Sequence, residues 1–373
     1  LIKGKSAQEE NGMSEKILKE KFWIKNKYLL LLCVLISIQI ILIMTYFSPH
    51  VMNDTKRFTS MIRYFNNESD AVFYNCEIIR PAEFIFPLIL YRYTPITVTW
   101  SIIVFNIIFH FLTVLTLYKF ILFYVSDESA AFFSAMLYAF SPAVLETGFY
   151  TVLFDSGAHL FFILPLYLFK KAQVEKSKKI FMIACVIMLF SLLFKQSAMI
   201  IFIWVCLELL LKKEYKTLLF LILSVGLLYA GFQFFISQKY GYDIFEFQMR
   251  KKSHAGYNTV NRLVTYSFIT FNLGWIFFLY GIKIYRDHKP LLRLLIMSIV
   301  FVLSWLYHPR FFIFLFPVFY IACAEGLRKM KSIKIKYAIL IIYPIINTVF
   351  YFLIRLHGYD AMRKVILNWK NYI

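Results

Sequence analysis

Nine charged side chains in this 373-residue chain sit beside or inside long apolar runs, where charge is costly. Asp54, Lys56 and Arg57 follow the first run directly, in "YFSPHVMNDTKRF". Arg80 and Glu83 flank Pro81, and Glu146 and Asp155 lie in "SPAVLETGFYTVLFDSGAHLFF". Lys195 interrupts "LLFKQSAMIIF", and Arg310 opens "HPRFFIFLFP". An unpaired carboxylate among lipid chains costs about 2.5–3.5 kcal/mol on insertion scales, so such residues need a reason to be there. Cations gathered at a membrane surface can hold a phosphate or diphosphate through charge-assisted hydrogen bonds. A carboxylate beside them can take the proton of an incoming hydroxyl. Together these groups describe transfer of a group from a phosphate leaving group anchored in lipid.

The elements that must position these residues are helices in a membrane. The chain is 60% hydrophobic, 20% aromatic and 17% charged, with mean hydropathy +0.66. A water-soluble domain cannot hide that much apolar surface, so an all-α polytopic membrane protein is expected. The formal net charge of +20 does not point to nucleic acid. The basic residues form short clusters between apolar runs, which is the positive-inside pattern with affinity for anionic membrane lipids. Runs able to span lie near 27–47, 96–124, 128–142, 146–169, 180–194, 197–211, 217–237, 263–283, 291–306, 310–327 and 337–356. With the N-terminus cytoplasmic and about 11 transmembrane helices, the clusters at Lys16–Lys27, Lys170–Lys179, Lys212–Lys216, Lys283–Arg293 and Arg328–Lys336 all fall inside. One long span over 180–211 would put KKAQVEKSKK and KKEYK on opposite faces, so two short helices with a break at Lys195–Gln196 are expected.

This topology divides the chain into a cytoplasmic segment over 1–26, a transmembrane domain over 27–356 and an outer-face tail over 357–373. Residues 1–12 are polar and do not begin with Met; Met13 is a candidate native start. Three segments face outward: 48–95, read as juxtamembrane helices lying on the surface; the polar loop 239–262; and the tail, expected to carry a surface helix around Tyr359–Trp369. Cys33, Cys185, Cys206 and Cys323 lie within apolar runs and Cys76 in the outer segment, so no disulfide framework is expected. The chain shows no Gly-rich nucleotide loop, no GxSxG elbow and no internal repeat.

The order of these features resembles the membrane-embedded GT-C glycosyltransferases, most closely the bacterial branch related to protein O-mannosyltransferases and lipid A aminoarabinose transferases. An acidic residue just after the first span, Asp54 in "NDTKRF", is followed by a Pro-containing juxtamembrane stretch, "RPAEFIFPLILYRY". A span ending "AMLYAFSPAVLE" precedes a second acidic residue, Asp155 in "LFDSGAHLFF". A lysine between two short spans and a late helix, "HPRFFIFLFPVFYIACAEGL", complete the likeness over about 28–330. The resemblance implies inverting sugar transfer from a polyprenyl-phosphate-linked donor on the outer or periplasmic face of a bacterial plasma membrane. The acceptor would be a hydroxyl of a glycan, lipid or protein. It implies Asp54 as general base, Arg57, Lys195 and Arg310 as donor-phosphate contacts, and Asp155 as the group that positions the acceptor or a cation. Thr55 stands where many members carry a second acidic residue, so a divalent cation (Mg or Mn) is not required by this pattern.

Plainer roles exist for each residue. Asp54 and Lys56 can be solvated loop charges, and Arg57, Lys195 and Arg310 can snorkel to lipid head groups. His159, one turn beyond Asp155, can serve as its structural partner. Glu83 and Glu146 suit helix N-termini, while Glu208 and Glu325 read as interface residues and His110 as a packing residue. A flippase or transporter of lipid-linked sugars also needs outer cations, but it calls for charges along the inner half of the path and for repeat symmetry. An O-antigen polymerase-like enzyme calls for a large Arg-rich outer loop, and 239–262 is short.

Overall fold

The computed structural model describes residues 27–46, 48–49, 54–74, 77–147, 153–241, 260–305, 312 and 314–367, and all regular structure among them is helical. In chain order the helices are α1 (Lys27–Tyr46), α2 (Thr55–Phe65), α3 (Ala82–Tyr93), α4 (Val98–Leu122), α5 (Glu128–Ala139) and α6 (Pro142–Thr147). They continue as α7 (Asp155–Glu175), α8 (Lys178–Phe194), α9 (Met199–Leu211) and α10 (Tyr215–Tyr240). The last six are α11 (Val260–Phe271), α12 (Gly274–Gly281), α13 (Ile284–Asp287), α14 (Lys289–Trp305), α15 (Phe316–Lys329) and α16 (Ile333–Leu367).

Helix α1 has the length and composition of a membrane span. Leu32, Ile36, Ile40 and Ile43 are buried along one stripe, while Val34, Ile38 and Ile41 leave the other face exposed. A helix apolar on all sides has no face for water. Four helices are long and apolar enough to cross a membrane: α1, α4, α10 and the Lys334–Leu353 part of α16. Helices α11 and α12 make a fifth if taken together, although they bend by 95° beside Asn272, whose φ is 47°.

Eleven spans were expected from the apolar runs; four, or five with the bent pair, have the length and composition of a span among the described residues. Helix α7 has the length, 21 residues, but its polar and charged ends lower its hydropathy; for the others the difference is one of helix length. Helix α5 has 12 residues, about 18 Å at 1.5 Å per residue, against a hydrocarbon core of about 30 Å. Helices α9 and α15 have 13 and 14 residues. The apolar residues of α5 are buried by protein instead: Ala130 to Ala139 are all buried, against α4 and α15. Helix α16 runs unbroken to Leu367, so the expected boundary at 357 falls inside a helix.

Two packing arrangements hold the bundle. Helices α12 and α15 cross with their backbones touching. A Cβ on Gly281 would lie 1.8 Å from the Ala322 carbonyl oxygen, and one on Gly326 would lie 2.1 Å from that of Phe277. Helices α7 and α8 form an antiparallel hairpin through Lys176, at φ 50°, and Ser177, whose Oγ accepts from the Ile180 amide at 3.3 Å. Helix α8 ends at Phe194; Lys195 is extended, Gln196–Ala198 form a short turn, and α9 starts at Met199. The chain therefore breaks at Lys195–Gln196.

Candidate functional site

Helix α2 is short and amphipathic. Phe58, Met61 and Ile62 are buried, spaced to face one side. That seating turns Asp54, at the helix N-cap, and Arg57, on its first turn, toward the segment before α3. Asp54 forms no side-chain cap; its carboxylate accepts from the Arg57 guanidinium instead. Arg57 also lies 3.5 Å from Glu77 Oε1. Glu77 accepts from Arg80, and Arg80 Nη1 reaches Glu83 Oε1 at 3.3 Å. The spacing explains the run: residues three apart share a helical face, and Glu77, Arg80 and Glu83 are so spaced. The more exposed part of the segment is braced separately, by Arg63 on Glu68 and Asp70 and by the Tyr91 hydroxyl donating to Glu68 at 2.8 Å.

A second charged pair meets this run from the α7–α8 hairpin. Asp155 opens α7 and Lys195 ends α8, so the antiparallel hairpin brings residues 40 apart together, with Lys195 Nζ donating to Asp155 Oδ1 at 2.8 Å. Asn106 of α4 donates to the Leu153 carbonyl at 2.6 Å and fixes the entry to α7. Phe84, next to Glu83, packs on Phe154, next to Asp155, at 5.5 Å, which sets the two groups side by side, near enough for Glu83 to feel both Lys195 and Asp155. Beneath it lies an aromatic floor: Phe154 packs on the rings of Phe58, Phe84 and Phe105 at 5.0, 5.5 and 5.9 Å. The Arg80 guanidinium sits 5.8 Å from the Phe58 ring, within the range of cation–π attraction.

The cluster grades from solvent to interior. Asp54 and Arg57 side chains are 30% and 32% exposed, while Glu77, Glu83 and Asp155 are buried. Burial raises the Glu83 carboxyl to about 7, against the pull of Arg80, and Glu77 adds to the rise. Glu83 Oε2 has no hydrogen-bond partner among the described residues. With Glu83 protonated, the carboxylates of Asp54, Glu77 and Asp155 face the cations Arg57, Arg80 and Lys195, three against three. An anionic ligand phosphate could thus enter by exchanging with carboxylates on cations that are already in place.

Of the residues expected at the site, Asp54, Arg57, Asp155 and Lys195 are gathered into this cluster, and Arg310 lies outside the described residues. Asp155 pairs with Lys195; His159, read as its alternative partner, is bonded to the Tyr138 hydroxyl at 2.7 Å through Nδ1. Lys56 is exposed, as a surface charge would be. Glu77, Arg80 and Glu83 also belong to the cluster, although none is among the site residues expected from the resemblance. Their signal was present as "EIIRPAE", three charges at helical spacing around one proline. Glu208 is held by Arg293 at 2.6 and 2.7 Å, and Glu325 by Arg328 at 2.7 Å, both away from this cluster. Among the described residues no group of three or more His, Cys, Asp or Glu is arranged to hold a metal ion. The chain matches no protein-family model and has no significant relative among curated proteins.

Proposed function

We propose that this chain is a GT-C-type glycosyltransferase that moves a sugar from a polyprenyl-phosphate-linked donor to an acceptor hydroxyl. What supports the reading is the cluster from Asp54 to Lys195, built from three separate parts of the chain and graded from a partly exposed carboxylate to a buried interior. In this reading the donor phosphate takes Arg57 and Lys195, with Arg310 as a third contact. Phosphate on Arg57 displaces Asp54, whose carboxylate then takes the acceptor's proton. The acceptor oxygen forms a bond to the anomeric carbon as the bond from that carbon to the phosphate oxygen breaks. The polyprenyl phosphate leaves with the electron pair, the acceptor proton goes to Asp54, and the configuration inverts. Asp155 orients the Lys195 ammonium and, through it, the donor.

The finer topology belongs to the same proposal: about 11 crossings, the N-terminus in the cytoplasm, and the cluster on the outer face of a bacterial plasma membrane. The shorter helices then cross singly, where the bilayer thins around them. Two expectations test the reading. Purified protein incubated with a panel of polyprenyl-phosphate sugars should transfer at least one sugar, read by mass spectrometry. Arg57→Gln and Lys195→Gln should raise the KM for that donor. Absence of transfer from every donor, with no saturable binding of polyprenyl phosphate, would overturn it.

A further inference from the structure

The far end of the α7–α8 hairpin carries a second feature that sugar transfer does not use. Helix α7 has 21 residues, about 31 Å at 1.5 Å per residue, so this end lies roughly one bilayer core away from the Asp155–Lys195 pair. The turn after α7 and the turn after α9 both border one cleft of about 610 Å³. The two basic segments, KKAQVEKSKK and KKEYK, therefore sit on the same face. Lys176, Lys178, Lys212 and Lys216 line the cleft, with Glu214 as the one acid. Four cations against one carboxylate leave a formal surplus of three positive charges.

Three further observations point to what fills the cleft. First, α8 and α10 both begin at its wall, at Lys178 and Tyr215, and helices of 17 and 26 residues turn the positive ends of their dipoles and their first-turn amides toward it. Second, Gln173 lines the cleft, and its Nε2 is buried with no hydrogen-bond partner among the described residues. A donor of that kind calls for an acceptor. Third, the floor is apolar: Phe169, Phe181, Leu209 and Phe220. It runs on into the outward apolar surface of Met182, Val186 and Leu219, which is at least half exposed. Free phosphate would satisfy the lysines but leave the exposed part of this floor, at Phe220 and Met182, uncovered.

We infer that the cleft binds an anionic phospholipid of the bilayer, its phosphate held by Lys178, Lys212, Lys216 and the Gln173 amide and its acyl chain laid along the Phe181–Phe220 floor. This site is separate from the proposed donor cluster and does not depend on the activity assigned there.

Native mass spectrometry of the full chain tests this, in detergent with equal phosphatidylglycerol and phosphatidylcholine. Wild type should retain a tightly held phosphatidylglycerol in preference to phosphatidylcholine. The triple variant Lys178→Gln/Lys212→Gln/Lys216→Gln should lose that preference by about tenfold or more, since each lysine near an anionic surface contributes several-fold. Phe181→Ser should weaken retention with the lysines intact, and millimolar inorganic phosphate should not displace the lipid. Thermal melting of each variant confirms that it is folded. Equal retention of the two lipids by wild type, or unchanged retention in the triple variant, overturns the site. Displacement by inorganic phosphate overturns the lipid as its occupant.

Discussion

At the scale of single residues, the Lys195–Asp155 pair separates a structural role from a functional one. Asp155 is 5% exposed, and removing one partner of a buried pair costs about 3–5 kcal/mol because the other charge is left uncompensated. Lys195→Ala should therefore lower the melting temperature markedly, and Lys195→Gln/Asp155→Asn should recover most of it. If Lys195 holds the donor phosphate, the double variant stays weak in donor binding despite regained stability; recovery of both would make the pair purely structural. Glu83 gives a second expectation. Its carboxyl ordinarily titrates near 4.5 and is raised by burial to about 7. The folded state keeps the proton longer, so stability from this group is complete below about 4.5 and falls as pH rises through about 7. Glu83→Gln should flatten the melting temperature across that window; an unchanged slope would show that Glu83 is not the titrating group. Asp54 and Arg57 were legible in the sequence because three charges crowd the end of one apolar run. For Glu77 the spacing to Arg80 was legible in "EIIRPAE", but the contact with Arg57 was not, because it joins two segments 20 residues apart.

At the scale of elements, the α12–α15 crossing makes the sharpest claim. The atoms that a new Cβ would meet at Gly281 and Gly326 are backbone atoms, which cannot rotate away. Overpacking of this kind costs about 1–3 kcal/mol or more, so Gly281→Ala and Gly326→Ala should each lower the melting temperature by several degrees. Gly231 in α10 has nothing within 4 Å of such a Cβ, and Gly231→Ala should be neutral or slightly stabilising. Equal effects at all three positions would remove the crossing from the account. The break at Lys195–Gln196 was readable because a lysine and a glutamine interrupt apolar sequence and because the basic clusters must share a face. The depth of α5 was not readable. An apolar helix buried in protein and one buried in lipid have the same composition, and only the neighbours that α5 finds in α4 and α15 decide between them.

At the scale of the whole molecule, the charged cluster and the lysine-lined cleft occupy opposite ends of α7 and α8, which predicts their sidedness. With the native cysteines replaced by serine, single cysteines at Ser177 and Lys213 should react with an impermeant maleimide from one side of the membrane, and one at Ser69 from the other. Labelling of all three from the same side would break the topology on which the proposed reaction depends. The membrane class was legible from composition alone, whereas the number of crossings depends on helix lengths that hydropathy does not fix. The most direct test of the central claim is transfer by Asp54→Asn, measured beside donor affinity in the same preparation. The account predicts donor binding within a few-fold of wild type and transfer slower by about 10²-fold or more, the usual worth of a positioned general base. Transfer at the wild-type rate would contradict it.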